Sequence, residues 1–102
     1  MPESRVRAVD IIGKTIISEE NGRKLGVVEN VEFVVETGEL INIIAGQPTS
    51  YAAQLNLKKN EKGKIVIPFS AVKSIGDFVI ISESELYWKY FLFLPFFFQA
   101  HL

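Results

Sequence analysis

The carboxylates are the side chains with which this chain could most readily do acid–base chemistry. Ten Glu and two Asp are present, and two of the Glu, Glu19 and Glu20, are adjacent. Catalysis by a carboxylate pair requires the two groups to face one another across a pocket. These two neighbours precede an Asn-Gly turn, so we predict a solvated turn here. Asp10 and Asp77 flank predicted strand ends, where Asp commonly caps or turns the backbone.

Nucleophilic and metal chemistry lacks its usual residues. The chain has no Cys and one His, His101, which is the penultimate residue. Thiol catalysis and thiolate metal sites need Cys, and a Ser-His-Asp triad needs a His that the fold can place beside a Ser, which a penultimate His rarely supplies. Ser70 and Ser74 flank a predicted helical turn, but no second His could activate either hydroxyl. The sequence therefore predicts no catalytic residue, no cofactor and no metal ligand, and hence not an enzyme.

The string Gly13-Lys14-Thr15 resembles the end of a phosphate-binding P-loop. That motif requires a Gly where this chain has Ala8, and it requires a helix to follow. A strand pattern follows instead, so we predict a turn that leads into a strand.

A local basic cluster lies between residues 58 and 64, within a chain whose formal net charge is −1. RNA-binding surfaces usually combine such charge with Arg and with aromatic side chains for stacking, and this segment has neither. We predict a solvated hairpin tip and do not favour a nucleic-acid partner. The basic residues are Lys58, Lys59, Lys62 and Lys64.

The elements that must position these residues are almost all strands. Short runs rich in Ile and Val alternate with Gly, Asn and Lys turns, as in small β-barrels and sandwiches. Residues 51–57 suit either a short strand or a turn of helix, and residues 69–76 suit one helical turn closed by Gly76. The predicted strands are Thr15–Ser18, Leu25–Glu36, Glu39–Ala45, Ile65–Ile67 (stopped by Pro68) and Asp77–Ser82.

The longest predicted strand alternates between apolar and polar residues with one interruption. We expect a β-bulge at Glu29–Asn30, where the alternation breaks. The returning strand of the hairpin should direct Ile41, Ile43 and Ala45 inward. The predicted core face of the long strand is Leu25, Val27, Val31, Phe33 and Val35.

The C-terminal tail, residues 86–102, differs sharply from the rest. It contains eight of the twelve aromatic residues and a single charge, Lys89. Its apolar part, 86–98, would make about 20 Å of helix against a hydrocarbon core of ~30 Å, and Pro95 would break that helix. We therefore do not predict a membrane span.

Three interpretations of the tail remain open. It packs on the barrel or on a second subunit, it lies in a membrane interface, or it is an unselected extension. The first residues hold no signal peptide, so we expect a cytoplasmic protein, with membrane contact through 86–102 as the alternative. We also expect a homodimer, because open strand edges need cover. The candidate interaction residues are Leu86, Tyr87, Trp88, Tyr90, Phe91 and Phe93.

Two stretches carry a resemblance to a known family. Residues 11–18 (IIGKTIIS) followed by residues 21–31 (NGRKLGVVENV) resemble the opening of a PRC-barrel domain, with its "IG" turn and its "LG-x-V" entry into the long strand. Residues 67–80 resemble the closing unit of that domain. The match covers about residues 9–83, so we predict a lead at 1–8, a barrel domain at 9–85 and the tail at 86–102.

The resemblance implies an all-β fold, a small six-stranded β-barrel with one short helical turn and no active site, here followed by the hydrophobic extension. Related domains occur in the photosynthetic reaction centre H subunit and in the ribosome maturation factor RimM. Stand-alone members are common in archaea, and some look like adaptors of the SepF- and FtsZ-based division machinery. The expected function is thus a non-catalytic adaptor for protein partners. The alternatives are a role in RNA metabolism like that of RimM and a membrane-peripheral barrel attached through the tail.

Overall fold

The computed structural model of the chain describes residues 8–86. The elements in chain order are α1 (Ala8–Ile11), β1 (Thr15–Ser18), β2 (Lys24–Phe33), β3 (Leu40–Gly46), α2 (Ser50–Gln54), β4 (Ile65–Pro68), a 3₁₀ turn (Phe69–Ala71), β5 (Val72–Ile75) and β6 (Phe78–Ile81). A further helical turn covers residues 83–86. Within residues 8–86 no helix is long and apolar enough to cross a membrane.

The six strands form one sheet in the order β4-β3-β2-β1-β6-β5. All neighbours are antiparallel except β1 and β6, which run parallel with Thr15 opposite Phe78. The 3₁₀ turn leads directly from edge strand β4 to edge strand β5. No ladder joins these two strands in the described part of the chain. The six strands in one mostly-β sheet are confirmed, but within residues 8–86 β4 and β5 are unpaired edges, so the sheet is not closed into the predicted barrel. The helical content also exceeds the single short turn predicted, because α1, α2 and the turn at 83–86 accompany the 3₁₀ turn.

The long strand confirms the predicted bulge and corrects the predicted core face. The register of β2 against β3 shifts between Val28 and Asn30, which leaves Glu29 as the extra residue. Just before the bulge Val28 is buried and the predicted Val27 is half-buried, whereas Phe33 and Val35 are 49% and 83% exposed. Their prediction as core residues was wrong because β2 runs beyond the strands that could cover its far end.

The neighbouring strand β3 shows the same effect at its beginning. A second register shift pairs Leu40 with Phe33 and Asn42 with Glu32, so Ile41 is left over on β3. Ile41 is 46% exposed, which contradicts the prediction that it points inward. Ile43 and Ala45, also predicted inward, are buried.

Two ambiguous segments are settled by local chemistry. In the segment 51–57, residues 51–54 belong to helix α2, whose N-cap Thr49 accepts a hydrogen bond from Ala52 N at 3.1 Å. The predicted helical turn over 69–76 is shorter than expected, because it ends at Ala71 and β5 follows. Val72 and Ile75 are half-buried and pair with β6, so strand pairing replaces the expected helix closed by Gly76.

The core lies between the strands and is built mainly from Ile and Val. Ile16 of β1, Ile43 of β3 and Val79 of β6 are fully buried, as is Ile11 of α1. Fully burying one such side chain contributes about 1.5–3 kcal/mol. The remaining core members are Leu25, Val28, Val31, Ala45, Ala52, Ile65, Ile67, Ala71 and Ile81.

Candidate interaction surface

A polar cluster joins the β1–β2 turn to the start of the C-terminal helical turn. Its main acceptor is Glu20, whose carboxylate receives hydrogen bonds from Ser82 Oγ (2.7 Å), Glu83 N (2.8 Å), Ser84 N (3.2 Å) and Ser84 Oγ (3.0 Å). Main-chain N–H groups at the start of a helix have no partner within the helix, so Glu20 acts as its cap. The predicted solvated turn therefore misses what Glu20 does.

Glu83 is the buried carboxylate of this cluster, with 7% of its surface exposed. Its Oε2 accepts hydrogen bonds from Tyr51 Oη at 2.6 Å and from Asn21 Nδ2 at 3.0 Å. The guanidinium of Arg23 lies 4.5 Å from the centre of the Tyr51 ring. We call these groups the polar clasp, which consists of Ser18, Glu20, Asn21, Arg23, Tyr51, Ser82, Glu83 and Ser84.

The pKa values of the two clasp carboxylates, Glu20 and Glu83, indicate a structural role. The hydrogen bond from Ser82, helped by the Glu83 and Ser84 amides against the opposing effect of burial, lowers the pKa of Glu20 to about 2. Burial would raise the pKa of Glu83, but hydrogen bonds from Ser18, Tyr51 and Asn21 lower it on balance. A general acid needs a carboxyl pKa raised toward neutrality. Both shifts run the opposite way, so the two carboxylates stay ionised and hold the turn and the helix together.

The opposite end of the sheet carries exposed apolar side chains instead. Strands β1 and β6 run parallel, so both begin at this end, where Thr15 pairs with Phe78. Strand β2 runs antiparallel to β1, so its last residues project beyond the same end. We call this set the apolar end, and its members are Val9, Ile12, Phe33, Val35, Ile41 and Phe78.

Part of the apolar end is a hairpin that extends past its neighbours. Strand β2 pairs with β1 over residues 24–27, and Gly13 and Lys14 bond to Val28 just beyond. From residue 29 to residue 33, β2 has β3 as its one partner strand among residues 8–86. We call residues 29–41 the arm. It contains no Lys or Arg and four Glu, which are Glu29, Glu32, Glu36 and Glu39.

A family model of the PRC-barrel domain matches residues 3–86. The chain belongs to the PRC-barrel family. No individually curated protein matches the chain. The family match confirms the resemblance drawn from the sequence motifs. It indicates a protein-interaction module in general terms, from a family that is generally non-catalytic.

Two motif glycines of this PRC-barrel domain have a clear structural reason. Gly13 of the "IG" turn has φ +93°, a conformation that side chains with a Cβ rarely adopt. Gly26 of the "LG-x-V" motif is packed so closely that an added Cβ would lie 2.6 Å from the Gly46 carbonyl oxygen. The motif thus marks the places where the backbone turns sharply or where two strands approach closely.

The other candidate chemical residues occupy ordinary positions in the PRC-barrel domain. Gly13-Lys14-Thr15 is a turn that leads into β1, as predicted, and the Lys14 ammonium donates to the Gly76 carbonyl. Ser70 and Ser74 are exposed on the 3₁₀ turn and on β5. Residues 8–86 contain no group of three or more His, Asp and Glu side chains that could hold a metal ion.

The basic cluster is an ordered hairpin turn. Asn60 Oδ1 accepts hydrogen bonds from Lys62 N and Lys64 N, and Lys59 forms a bridge with Ile65. The Lys64 ammonium lies 3.1 Å from Glu29 of the arm. This placement agrees with the predicted hairpin tip.

The predicted interaction residues of the tail fall mostly beyond the described part. Leu86 is half-buried and packs against the core. The remaining members, Tyr87, Trp88, Tyr90, Phe91 and Phe93, lie outside the described residues, as does His101.

Proposed function

We propose that this chain is a non-catalytic adaptor that binds a protein partner through its apolar end. The observation that supports the proposal is the contrast in how side chains are used at the two ends. In the polar clasp, the carboxylates accept hydrogen bonds from within the chain. At the apolar end, by contrast, Val9 is 73% exposed and Val35 is 83% exposed. Exposed apolar side chains commonly mark a protein contact where they lie close together, and Phe33, Val35 and Ile41 lie within the one hairpin formed by β2 and β3.

The test compares two substitutions of an exposed small apolar residue by Asp. Val35→Asp alters the apolar end, and Ala53→Asp introduces the same acidic side chain at an exposed position of α2. A partner captured from the source cells is identified, purified and titrated against the full chain. We expect Val35→Asp to weaken binding at least about tenfold and Ala53→Asp to leave it within about twofold. Equal binding by both variants would contradict the proposal.

The tail and the dimer form a separate part of the proposal. We propose that residues 86–102 contribute a second contact through Leu86, Tyr87, Trp88, Tyr90, Phe91 and Phe93, and that the chain forms a homodimer. Light scattering of the full chain and of a chain ending at Glu85 measures both. A dimer only in the full chain would support a tail-mediated interface, and a monomer in both would refute dimerisation.

The cellular setting that we propose to test first is cell division, which rests on the resemblance to stand-alone members of the family. Recovery of SepF- or FtsZ-type proteins in the same capture experiment is the expected result. Co-sedimentation with ribosomal particles in low salt would instead favour the RNA-metabolism alternative. Loss of the chain from the membrane fraction on deletion of residues 86–102 would favour the membrane-peripheral alternative.

A further inference from the structure

One edge of the arm carries main-chain groups that face away from the sheet. Val34 N donates to Glu39 O across the hairpin. Main-chain N–H groups alternate between the two sides of a strand, so those of Val31 and Phe33 point away from β3. The Val31 N–H is bonded at 2.8 Å by Oδ1 of its own neighbour, Asn30. An exposed side chain thus occupies a donor that a further strand would otherwise pair with.

The side chains around this edge define what could pair there. Phe33, Val35 and Ile41 offer exposed apolar contacts. Of the four arm glutamates, Glu29 is paired with Lys64, whereas no ion pair within residues 8–86 includes Glu36 or Glu39. The edge therefore has no second partner strand within residues 8–86 and one donor held by Asn30, and exposed apolar side chains and glutamates without an ion pair lie nearby.

We infer that the open edge of β2, residues 29–33, binds an extended protein segment that alternates cationic and apolar side chains and adds to the sheet as a strand. Strand addition satisfies main-chain groups, and alternate side chains supply specificity. The inference deepens the proposed function and rests on it, because it names the chemistry of the partner at the apolar end.

The charge of the arm decides between occupants. A second copy pairing edge to edge would bring its own arm glutamates, of which Glu32, Glu36 and Glu39 have no ion pair within residues 8–86, against the same residues here, which is unfavourable. Nucleic acid and anionic lipid would be repelled in the same way. A cationic segment gains attraction at the same positions.

The experiment titrates the isotopically labelled full chain with a synthetic peptide of alternating Arg and Val and follows the backbone amide signals. We expect shifts centred on residues 29–33 and an affinity that falls as salt is added. The double substitution Glu36→Lys and Glu39→Lys should weaken binding at least about tenfold. The control Glu61→Lys, which makes the same kind of charge change in the 58–64 hairpin, should alter it less than about twofold.

Four results would overturn the inference. The first is that a Glu-Val peptide binds as tightly as the Arg-Val peptide. The second is that an Arg-Val peptide whose central Val residues are replaced by Pro, and which therefore cannot pair as a strand, binds as tightly as the original. The third is concentration-dependent shifts at 29–33 without peptide, which would assign the edge to a second copy. The fourth is shifts there caused by Arg5→Glu and Arg7→Glu without peptide, which would assign it to residues 1–7. In each case the proposed function stands if Val35→Asp still lowers the affinity for the natural partner. If Val35→Asp leaves that affinity unchanged, the proposed function itself is contradicted.

Discussion

The polar clasp and the apolar end use their side chains in opposite ways. At the clasp, charged and hydroxyl groups from three distant segments converge on Glu20 and Glu83 and satisfy one another. At the apolar end, β2 and β3 continue past the strands that would cover them, and their apolar side chains meet solvent. The polar region that looks most like a catalytic site is thus structural, and the apolar region that looks most like core is the better candidate for recognition.

The largest expected effect separates two isoleucines of β3 that lie on either side of Asn42. Ile43 is fully buried and Ile41 is 46% exposed. We expect Ile43→Ala to lower the free energy of unfolding by about 2–5 kcal/mol, and Ile41→Ala to change it by less than ~1 kcal/mol. Urea denaturation of both variants measures the difference. Similar losses for the two would mean that the arm is packed rather than free.

The same pair of residues shows how far the sequence could take the prediction. Alternation along β2 and β3 predicts the hairpin, and the break at Glu29 predicts the bulge, because both signals are local. The outward position of Ile41 depends on a second register shift opposite Glu32 and Phe33, and no residue pattern in the sequence marks that shift. The error therefore comes from pairing geometry and not from residue type.

The candidate site divides along the same line. The family is predictable because motif glycines such as Gly13 and Gly26 report on backbone demands that other residues meet poorly. The polar clasp cannot be predicted from the sequence, because Glu20 and Ser82 are 62 residues apart and meet only through the parallel pairing of β1 with β6. One signal was available in retrospect, since Ser82 followed by Glu85 fits the Ser-x-x-Glu pattern of a helix start.

The next largest effect is expected at the buried carboxylate of the clasp. Glu83→Ala removes the charged acceptor for Tyr51 Oη, which is half-buried, and for Asn21 Nδ2, which is exposed. Hydrogen bonds to a charged group contribute about 1.5–3 kcal/mol, and we expect a loss at the lower end of this range. The control Glu85→Ala breaks only an exposed ion pair with Lys73 at 3.7 Å, which is worth less than ~1 kcal/mol. Chemical denaturation of both variants tests this. Equal stability would show that solvent satisfies the Tyr51 and Asn21 donors.

A smaller effect is expected at the helix cap. Glu20→Ala should lower the free energy of unfolding by about 0.5–2 kcal/mol, the usual range for a lost capping side chain. Hydrogen exchange at the Glu83 and Ser84 amides should accelerate, because Glu20 accepts from both. The adjacent control Glu19→Ala should stay within ~0.5 kcal/mol. Unchanged exchange in Glu20→Ala would show that the cap does not hold the helical turn.

The contribution of Glu20 should also depend on pH. Folding lowers its pKa from 4.5 to about 2, so the stabilisation is present above pH 4.5 and is lost as the pH falls toward 2. The difference in unfolding free energy between the wild type and Glu20→Gln should therefore narrow across this range. Glu83 is present in both proteins, so its own lowered pKa cancels to first order. A constant difference across the range would contradict the capping role.

The smallest expected effect on stability is at the tip of the arm. Val35 is 83% exposed, so Val35→Asp should change the free energy of unfolding by less than ~0.5 kcal/mol, as thermal and urea denaturation can measure. A side chain that adds nothing to the fold and whose replacement weakens a partner at least about tenfold acts in recognition. Glu83→Ala should show the opposite result, a loss of stability with unchanged affinity for the partner. Measuring both variants therefore distinguishes the role of the apolar end from that of the polar clasp. If Val35→Asp destabilised the chain as much as Glu83→Ala, the arm would be part of the core and the contrast between the ends would fail.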